Sequence, residues 1–533
     1  MIAKIDEIFS RWRGDREPGA AVAVIDQGKV VHKACYGLAD LEHRQKIAPT
    51  SPFYICSITK QFTATLVVML EAAGKLSLDD EVQKHIPELQ RFSERLTLRH
   101  LLNNTSGLRD ELTLLALSGI PLDAPTSRDQ LFDLVTRQKT LDFPPADRFR
   151  YCNSNWMLLS IVIERLSGQS FRSYLTDRIF RPLAMQSSRL ADDNLELAPD
   201  LARPYSPDGG GFRKDVVGIA LSGDGGILAS LDDLLVWHEN YRNNRLLPKD
   251  LHQRLATRAV LRTGERIGYA MGLRVLDYRG QRLWMHGGGL PGYKLELCRF
   301  PDVDLGIIVM GNREDFRPTF ATRAIADLIL GERLTPPRRI ARPAPAASLA
   351  GRYYDRAEGH TLTLSADGDM PLAEVVDYSF GLEQVSADRF ETLVGPHPLG
   401  FTLAHFDSGR PSRIEATLDG GQRLTFEAAQ PVAAPPAKLK DYVGLYAGPD
   451  LPFAYRVETS GEGIALRLER LYPRTAANTL SPLFADMFAF GVPYLNKTQM
   501  GTIRFQRGPD GKTVSLVVNF GRISNLRLER RKG

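Results

Sequence analysis

The chain has 533 residues, 43% of them hydrophobic and 25% charged, which is ordinary for a soluble globular protein and leaves room for roughly three domains. Its 68 basic and 63 acidic residues give a net charge of +5, and the basic runs Arg338-Arg339 and Arg530-Arg531-Lys532 lack interleaved aromatics, so nucleic-acid binding is not expected. The longest apolar runs, Leu66 to Leu70 and Leu305 to Met310 among them, are far too short to span a bilayer, so no membrane association is expected.

The N-terminal stretch from Met1 to Glu7 mixes charges with isolated apolar residues and has no apolar signal region. It reads as the first turns of an amphipathic helix, and the expected location is the cytoplasm. The cysteines Cys35, Cys56, Cys152 and Cys298 are widely spaced, with no Cys-x-x-Cys pair or Cys/His cluster, so no metal is implied. They fit buried free thiols in a reducing compartment.

Residues 1–333 alternate helical and strand patterns. Ala20 to Ile25 and Lys29 to Lys33 read as two strands joined by the turn Asp26-Gln27-Gly28. An apolar run from Gln61 to Ala73 predicts a helix, and a second from Met157 to Leu166 ends at Gly168 as a C-cap. Ser230-Leu231-Asp232-Asp233 reads as a capping box before a helix through Trp237. Gln281 to Met285, Tyr293 to Phe300 and Asp304 to Met310 read as strands, and Arg317 to Ile329 as a closing helix.

At residues 334–347 the composition changes, and Pro343 and Pro345 mark a linker that can neither be helical nor pair centrally in a sheet. A second linker, 430–438, holds Pro431-Val432-Ala433-Ala434-Pro435-Pro436. Segments 348–429 and 439–533 are dominated by short alternating runs and repeat one order: a Gly-x-Tyr opening (Gly351-Arg352-Tyr353, Gly444-Leu445-Tyr446), then strands such as Ser412 to Ala416 and Thr513 to Val517. A duplicated antiparallel β-barrel module is expected.

Three elements of residues 1–333 can carry chemistry. Ser57-Ile58-Thr59-Lys60 opens the first apolar helix, placing Ser57 and Lys60 one turn apart at a helix N-terminus. A serine is a poor nucleophile without an adjacent base, and a lysine is that base only if desolvation or nearby positive charge lowers its pKa. Tyr151-Cys152-Asn153 is expected on a loop, where Tyr151 can relay a proton and Asn153 can orient both Lys60 and a substrate amide. His286-Gly287-Gly288-Gly289 ends a strand, and its glycines admit a substrate to the backbone. A backbone N–H there, with that of Ser57, can form an oxyanion hole. Each element alone is more often a cap, a turn or a strand end.

Together, in this order, they resemble the penicillin-recognising serine hydrolases: class C β-lactamases, D-Ala-D-Ala carboxypeptidases and their relatives. Ile55 to Thr63, Leu102 to Asp110 and Gly223-Asp224-Gly225-Gly226 extend the likeness. Within that class the chain looks most like the bacterial D-aminopeptidases, which join such an α/β (α+β) catalytic domain to two antiparallel β-barrels. The resemblance implies that Ser57 is acylated, Lys60 moves the proton, and Tyr151 and Asn153 form the second motif. It further implies that His286, Gly287 and Gly288 form the third motif, with the Gly289 N–H in the oxyanion hole. It implies no cofactor, small D-amino-acid peptides, amides or esters as substrates, and a homodimer. The alternatives are a D-amino-acid amidase, esterase or carboxypeptidase of the same fold, and a non-catalytic peptide-binding or sensor protein. A β-lactamase fits less well, given the added barrels. In the D-aminopeptidases a loop of the last barrel brings an acidic residue to the substrate's amino group. The comparable stretch here, 490–498, has no Asp or Glu, and Asn496 is the residue expected to face the substrate.

Overall fold

A six-stranded antiparallel sheet organises the first 330 residues and takes its strands from both ends of that stretch. The order is Arg274–Tyr278, Gln281–Leu290, Tyr293–Phe300, Leu305–Gly311, Ala20–Asp26, Lys29–Tyr36. The computed structural model describes all residues except 1, 194–195, 338–339, 341–345, 377, 396–398, 408–409, 431–438, 470–476 and 532–533. Pro343, Pro345, the prolines of the second expected linker, Arg338-Arg339 and Lys532 therefore lie outside the described residues.

Strand alternation sorts the side chains into two cores. Val22, Val24, Ile307 and Val309 pack with Ile5 and Phe9 of the N-terminal segment and with Ile325 of the helix Pro318–Leu330. Ala21, Ala23 and Ile308 point the other way, into the core that holds Phe62 and Trp237. The second core is a helical layer built on Thr59–Ala72, Asn153–Ser167 and Leu231–Asn243. Phe62 stacks on Trp237 at 4.0 Å between ring centroids, and Gln61 Oε1 accepts from Trp237 Nε1 (2.9 Å) and Tyr241 Oη (2.8 Å). The residues directly after Lys60 thus fix its helix to the layer.

The expected strands and helices are present. The turn at Gln27-Gly28 has both residues at positive φ, as a two-residue hairpin requires. Gly168 caps its helix in the left-handed region. Ser230 Oγ accepts the Asp233 N–H at 3.2 Å, but the Asp233 carboxylate accepts from Ser188 Oγ instead of completing a capping box. All four cysteines are free, and three are buried.

Strands from Gly351–Asp355 to Arg423–Ala428 form a closed eight-stranded antiparallel barrel around Phe380, Phe390, Phe401 and Phe426. The last segment forms a nine-stranded sheet whose two edges are Asn478–Thr479 and Ser481–Phe484. These edges are consecutive in the chain, so one stretch pairs with Gly463–Glu469 on one side and Met487–Tyr494 on the other. The Asn478 amide spans the gap by bonding both the N–H and the C=O of Gly491. No described helix is long and apolar enough to cross a membrane.

Candidate active site

Ser57 lies in the tight turn Cys56–Ile58 at the head of the helix Thr59–Ala72. Cys56 is held at φ 50°, a left-handed conformation that costs a non-glycine residue about 1–3 kcal/mol. The turn leaves Ser57 half-buried while Lys60, in the first helical turn, is fully buried.

The Lys60 amine has three partners: Ser57 Oγ at 3.1 Å, Asn153 Oδ1 at 2.9 Å and the Asp224 carbonyl at 2.6 Å. Burial is the main force lowering its pKa, to about 8; Arg522 adds to the fall, while Asp224, Glu111 and Asp110 oppose it. A neutral amine has two N–H donors and one lone pair. The Asn153 oxygen and the Asp224 carbonyl can take the two donors, which turns the lone pair to the Ser57 hydroxyl. The Asp224 side chain is itself pushed up, to about 6, first by burial, with Lys60 pulling the other way.

Asn153 is the first residue of the helix Asn153–Ser167, not a loop residue as the sequence reading expected; only Tyr151 and Cys152 precede the helix. Cys152, at the N-cap, supplies no side-chain cap. The cap comes from a distant segment: Asp110 Oδ2 accepts the Asn153 N–H at 2.7 Å. Asn104 Oδ1 accepts from Asn155 Nδ2 and Trp156 Nε1, both at 3.1 Å, holding the same turn. The Tyr151 phenol is buried, which raises its pKa well beyond the usual range although Ser57, Arg522 and Arg274 favour ionisation.

The strand carrying His286 does not end there. It runs unbroken as Gln281–Leu290, with Gly287, Gly288 and Gly289 paired to Glu296, Leu295 and Lys294. Glycine is needed at 288, where a Cβ would stand 2.5 Å from the Ile55 carbonyl oxygen and 3.2 Å from the Cys56 Cβ. The strand therefore presses directly on the Ser57 turn. His286 is buried and accepts from Tyr269 Oη at Nε2 (3.2 Å) with Nδ1–H on the Gly287 carbonyl (2.7 Å). Burial, then Arg274 and Lys60, hold it neutral. A Cβ at Gly289 would meet nothing within 4 Å. Gly288→Ala should thus lower stability by about 1–3 kcal/mol, the usual cost of overpacking, whereas Gly289→Ala should leave the melting temperature nearly unchanged. Equal melting curves for the two variants would refute the close contact.

The contact with the last barrel differs from the expectation. Leu495 and Asn496, both at positive φ, form the tip of a hairpin between Met487–Tyr494 and Lys497–Arg507. The Asn496 amide donates to Asp215 Oδ1 (2.9 Å) and Ser206 Oγ (3.2 Å), so it docks on the segment around the hairpin Tyr205–Asp208 and Gly211–Lys214. A different turn of that barrel, Gly521-Arg522, reaches Tyr151 and Asp110. Arg522 Cζ stands 4.9 Å from the centre of the Tyr151 ring, and its Nη1 pairs with Asp110 Oδ2 at 3.1 Å. Sequence pattern alone does not point to Arg522, to Asp110 as a capping group, to the Asp224 carbonyl, or to Arg274, whose Cζ lies 5.8 Å from the same ring.

Residues 5–332 match the Beta-lactamase family. A D-aminopeptidase of Brucella anthropi is 34% identical over 354 residues, covering 66% of this chain and 66% of that protein. One from Gluconobacter oxydans is 31% identical over 392 residues, 73% of this chain and 72% of its own. The chain thus spans just under two thirds of the first relative's length. Among solved structures, an octameric penicillin-binding protein homologue from Pyrococcus abyssi superposes with TM-score 0.58 and 24% identity over 80% of this chain and 99% of its own. The D-amino acid amidase from Ochrobactrum anthropi SV3 does so with TM-score 0.53 and 21% identity, over 62% of this chain and 100% of its own. These two likenesses speak for the fold. With a family match over more than half its length, the chain belongs to the Beta-lactamase family.

Proposed function

We propose that the protein is a serine hydrolase that releases N-terminal D-amino acids from peptides, amides or esters through an acyl-enzyme on Ser57. The observation that carries this reading is the Lys60 amine, 3.1 Å from the Ser57 hydroxyl and tied to two fixed acceptors. In acylation Ser57 Oγ attacks the substrate carbonyl and its proton passes to Lys60; as the bond to the leaving group breaks, Lys60 returns that proton to it. Water then attacks the ester, and the same lysine serves in reverse. Tyr151, whose phenol stays protonated, relays a proton or donates a hydrogen bond instead of acting as the resting base. Asn153 orients Lys60 and the substrate amide. The N–H groups of Ser57 and Gly289 hold the oxyanion, while His286, Gly287 and Gly288 shape the strand along which substrate lies. Residues 1–333 are the catalytic unit in this reading, and 348–429 and 439–533 are the barrel units. The relatives named D-aminopeptidase support the substrate class. A cytoplasmic location and a homodimer complete the reading, the homodimer being the family-based part and checked by sedimentation.

Carboxypeptidase action is the second reading, favoured by Arg522, because the last barrel brings a cation and not an acid to Tyr151. One pair of substrates separates the two. D-Alanine p-nitroanilide should be cleaved and its N-acetyl derivative should not. The reverse preference moves the assignment to carboxypeptidase or esterase.

A further inference from the structure

The turn that carries Arg522 is built to hold one position. Phe520 pairs with Ile523 across a two-residue turn, and Gly521 takes the positive φ (52°) that its first position requires. Ser524 fastens the next residues: its N–H donates to Asp142 Oδ2 at 3.0 Å and its hydroxyl bonds Arg150. Elsewhere the same barrel docks through Asp450, whose backbone carbonyl accepts Gln138 Nε2 at 2.9 Å, and through Tyr455 Oη on the Leu117 carbonyl at 2.6 Å. From this platform Arg522 joins a short relay. Its Nη1 holds Asp110 Oδ2, the same oxygen caps the Asn153 N–H, and Asn153 Oδ1 bonds the Lys60 amine. Lys60 Nζ and Arg522 Cζ each stand 4.9 Å from the centre of the Tyr151 ring.

We propose that Arg522 is a positioning residue for the acyl-transfer reaction, a cation that the docked last barrel delivers to fix Asp110 and Asn153 and to keep the Lys60 amine free of its proton. The proposal rests on the reading of Ser57 and Lys60 as nucleophile and base. Three carboxyl groups near Lys60 pull the other way: Asp224, from the loop before Ile227–Ala229, and Asp110 and Glu111, at the head of the helix Glu111–Leu117. Glu111 is itself raised well above its usual pKa, first by burial. From the remaining sides Lys60 faces His286, kept neutral, and the Cys56 thiol and Tyr151 phenol, both raised by burial; none carries charge at neutral pH. Arg522 thus counters these carboxyl groups, and a like charge near an amine favours its neutral form.

The test uses the full-length protein with Arg522→Ala, Arg522→Gln and Arg522→Lys. It reads Ser57 labelling by a phosphonofluoridate and kcat against pH. Both neutral variants should lose 10-fold or more in kcat at pH 7, and their acidic limb should move to higher pH. Arg522→Gln can still donate to Asp110, so its shift isolates the charge. Arg522→Lys should return the limb most of the way, and millimolar guanidinium should partly restore Arg522→Ala. A wild type labelled at Ser57 whose pH limb is unmoved in Arg522→Gln overturns the proposal while leaving the hydrolase intact. A wild type that takes no label at Ser57 overturns both.

Discussion

Ser57→Ala should reduce turnover to background, a loss on the order of 10⁶-fold if the serine contributes as an active-site nucleophile commonly does. The size of the effect follows from the geometry. No other described nucleophile is bonded to Lys60, whose other two contacts are an amide oxygen and a main-chain carbonyl. Neighbouring Cys56 and Cys152 cannot substitute, because burial drives both thiols far from the thiolate. The substitution removes one hydroxyl from a half-buried position, so the fold should keep its melting temperature. The check is a burst assay with a chromogenic D-amino-acid ester beside mass analysis after phosphonofluoridate treatment. Wild-type protein should gain one adduct on Ser57 and the variant none. A variant that retains near-normal turnover would sink the acyl-enzyme mechanism, and an unlabelled wild type would favour a binding protein.

The second large effect belongs to Lys60. Lys60→Ala should cost about 10²–10⁴-fold, the usual worth of general acid–base help. The pH profile gives a sharper reading of the same residue. The amine must be neutral to accept the serine proton, and burial with Arg522 brings it down to about 8. In the wild type kcat/KM should therefore rise with pH up to about 8 and fall tenfold per unit below it. Tyr151, lifted far above its ordinary value by burial, stays a phenol through this range and supplies no second limb there. A flat profile from pH 6 to 9, or a basic limb in that range, would show that Lys60 is not the base.

Much of this arrangement could be read from the residues, and the failures share a cause. The strands at 20–36 and 293–311 and the helix after Arg317 follow from local alternation and periodicity, which chain neighbours determine. Ser57 and Lys60 are close in sequence, so their meeting needs only a helical turn. Asn153 reads as a loop residue because it follows the Pro144-Pro145 break and precedes the apolar run from Met157; the helix starts earlier because Asp110, which no local pattern ties to it, caps Asn153. The glycines after His286 read as a strand end, because glycine weakens a strand considered alone. Pairing with Glu296, Leu295 and Lys294 carries the strand onward, and contact with Ile55 explains why glycine is there. Arg522 shows the same limit at greater range. Gly521 is legible as a turn residue, but that the turn meets Tyr151 depends on how the last barrel seats on Asp142, Gln138 and Leu117. The 490–498 stretch matches the family's loop only by its place in the last barrel, and the hairpin it forms seats on Asp215 and Ser206 instead.

The sheet order has a consequence for the time course of synthesis. Ala20–Asp26 lies between Lys29–Tyr36 and Leu305–Gly311, so the first strand made waits for the last strand of its sheet to leave the ribosome. Until then its apolar edge has no partner, and an open edge of this kind invites chaperones or wrong pairing. The order also delays the chemistry. Ser57 is translated before the strand through His286, and Arg522 after both. A nascent chain therefore carries its serine long before it carries the groups that surround it.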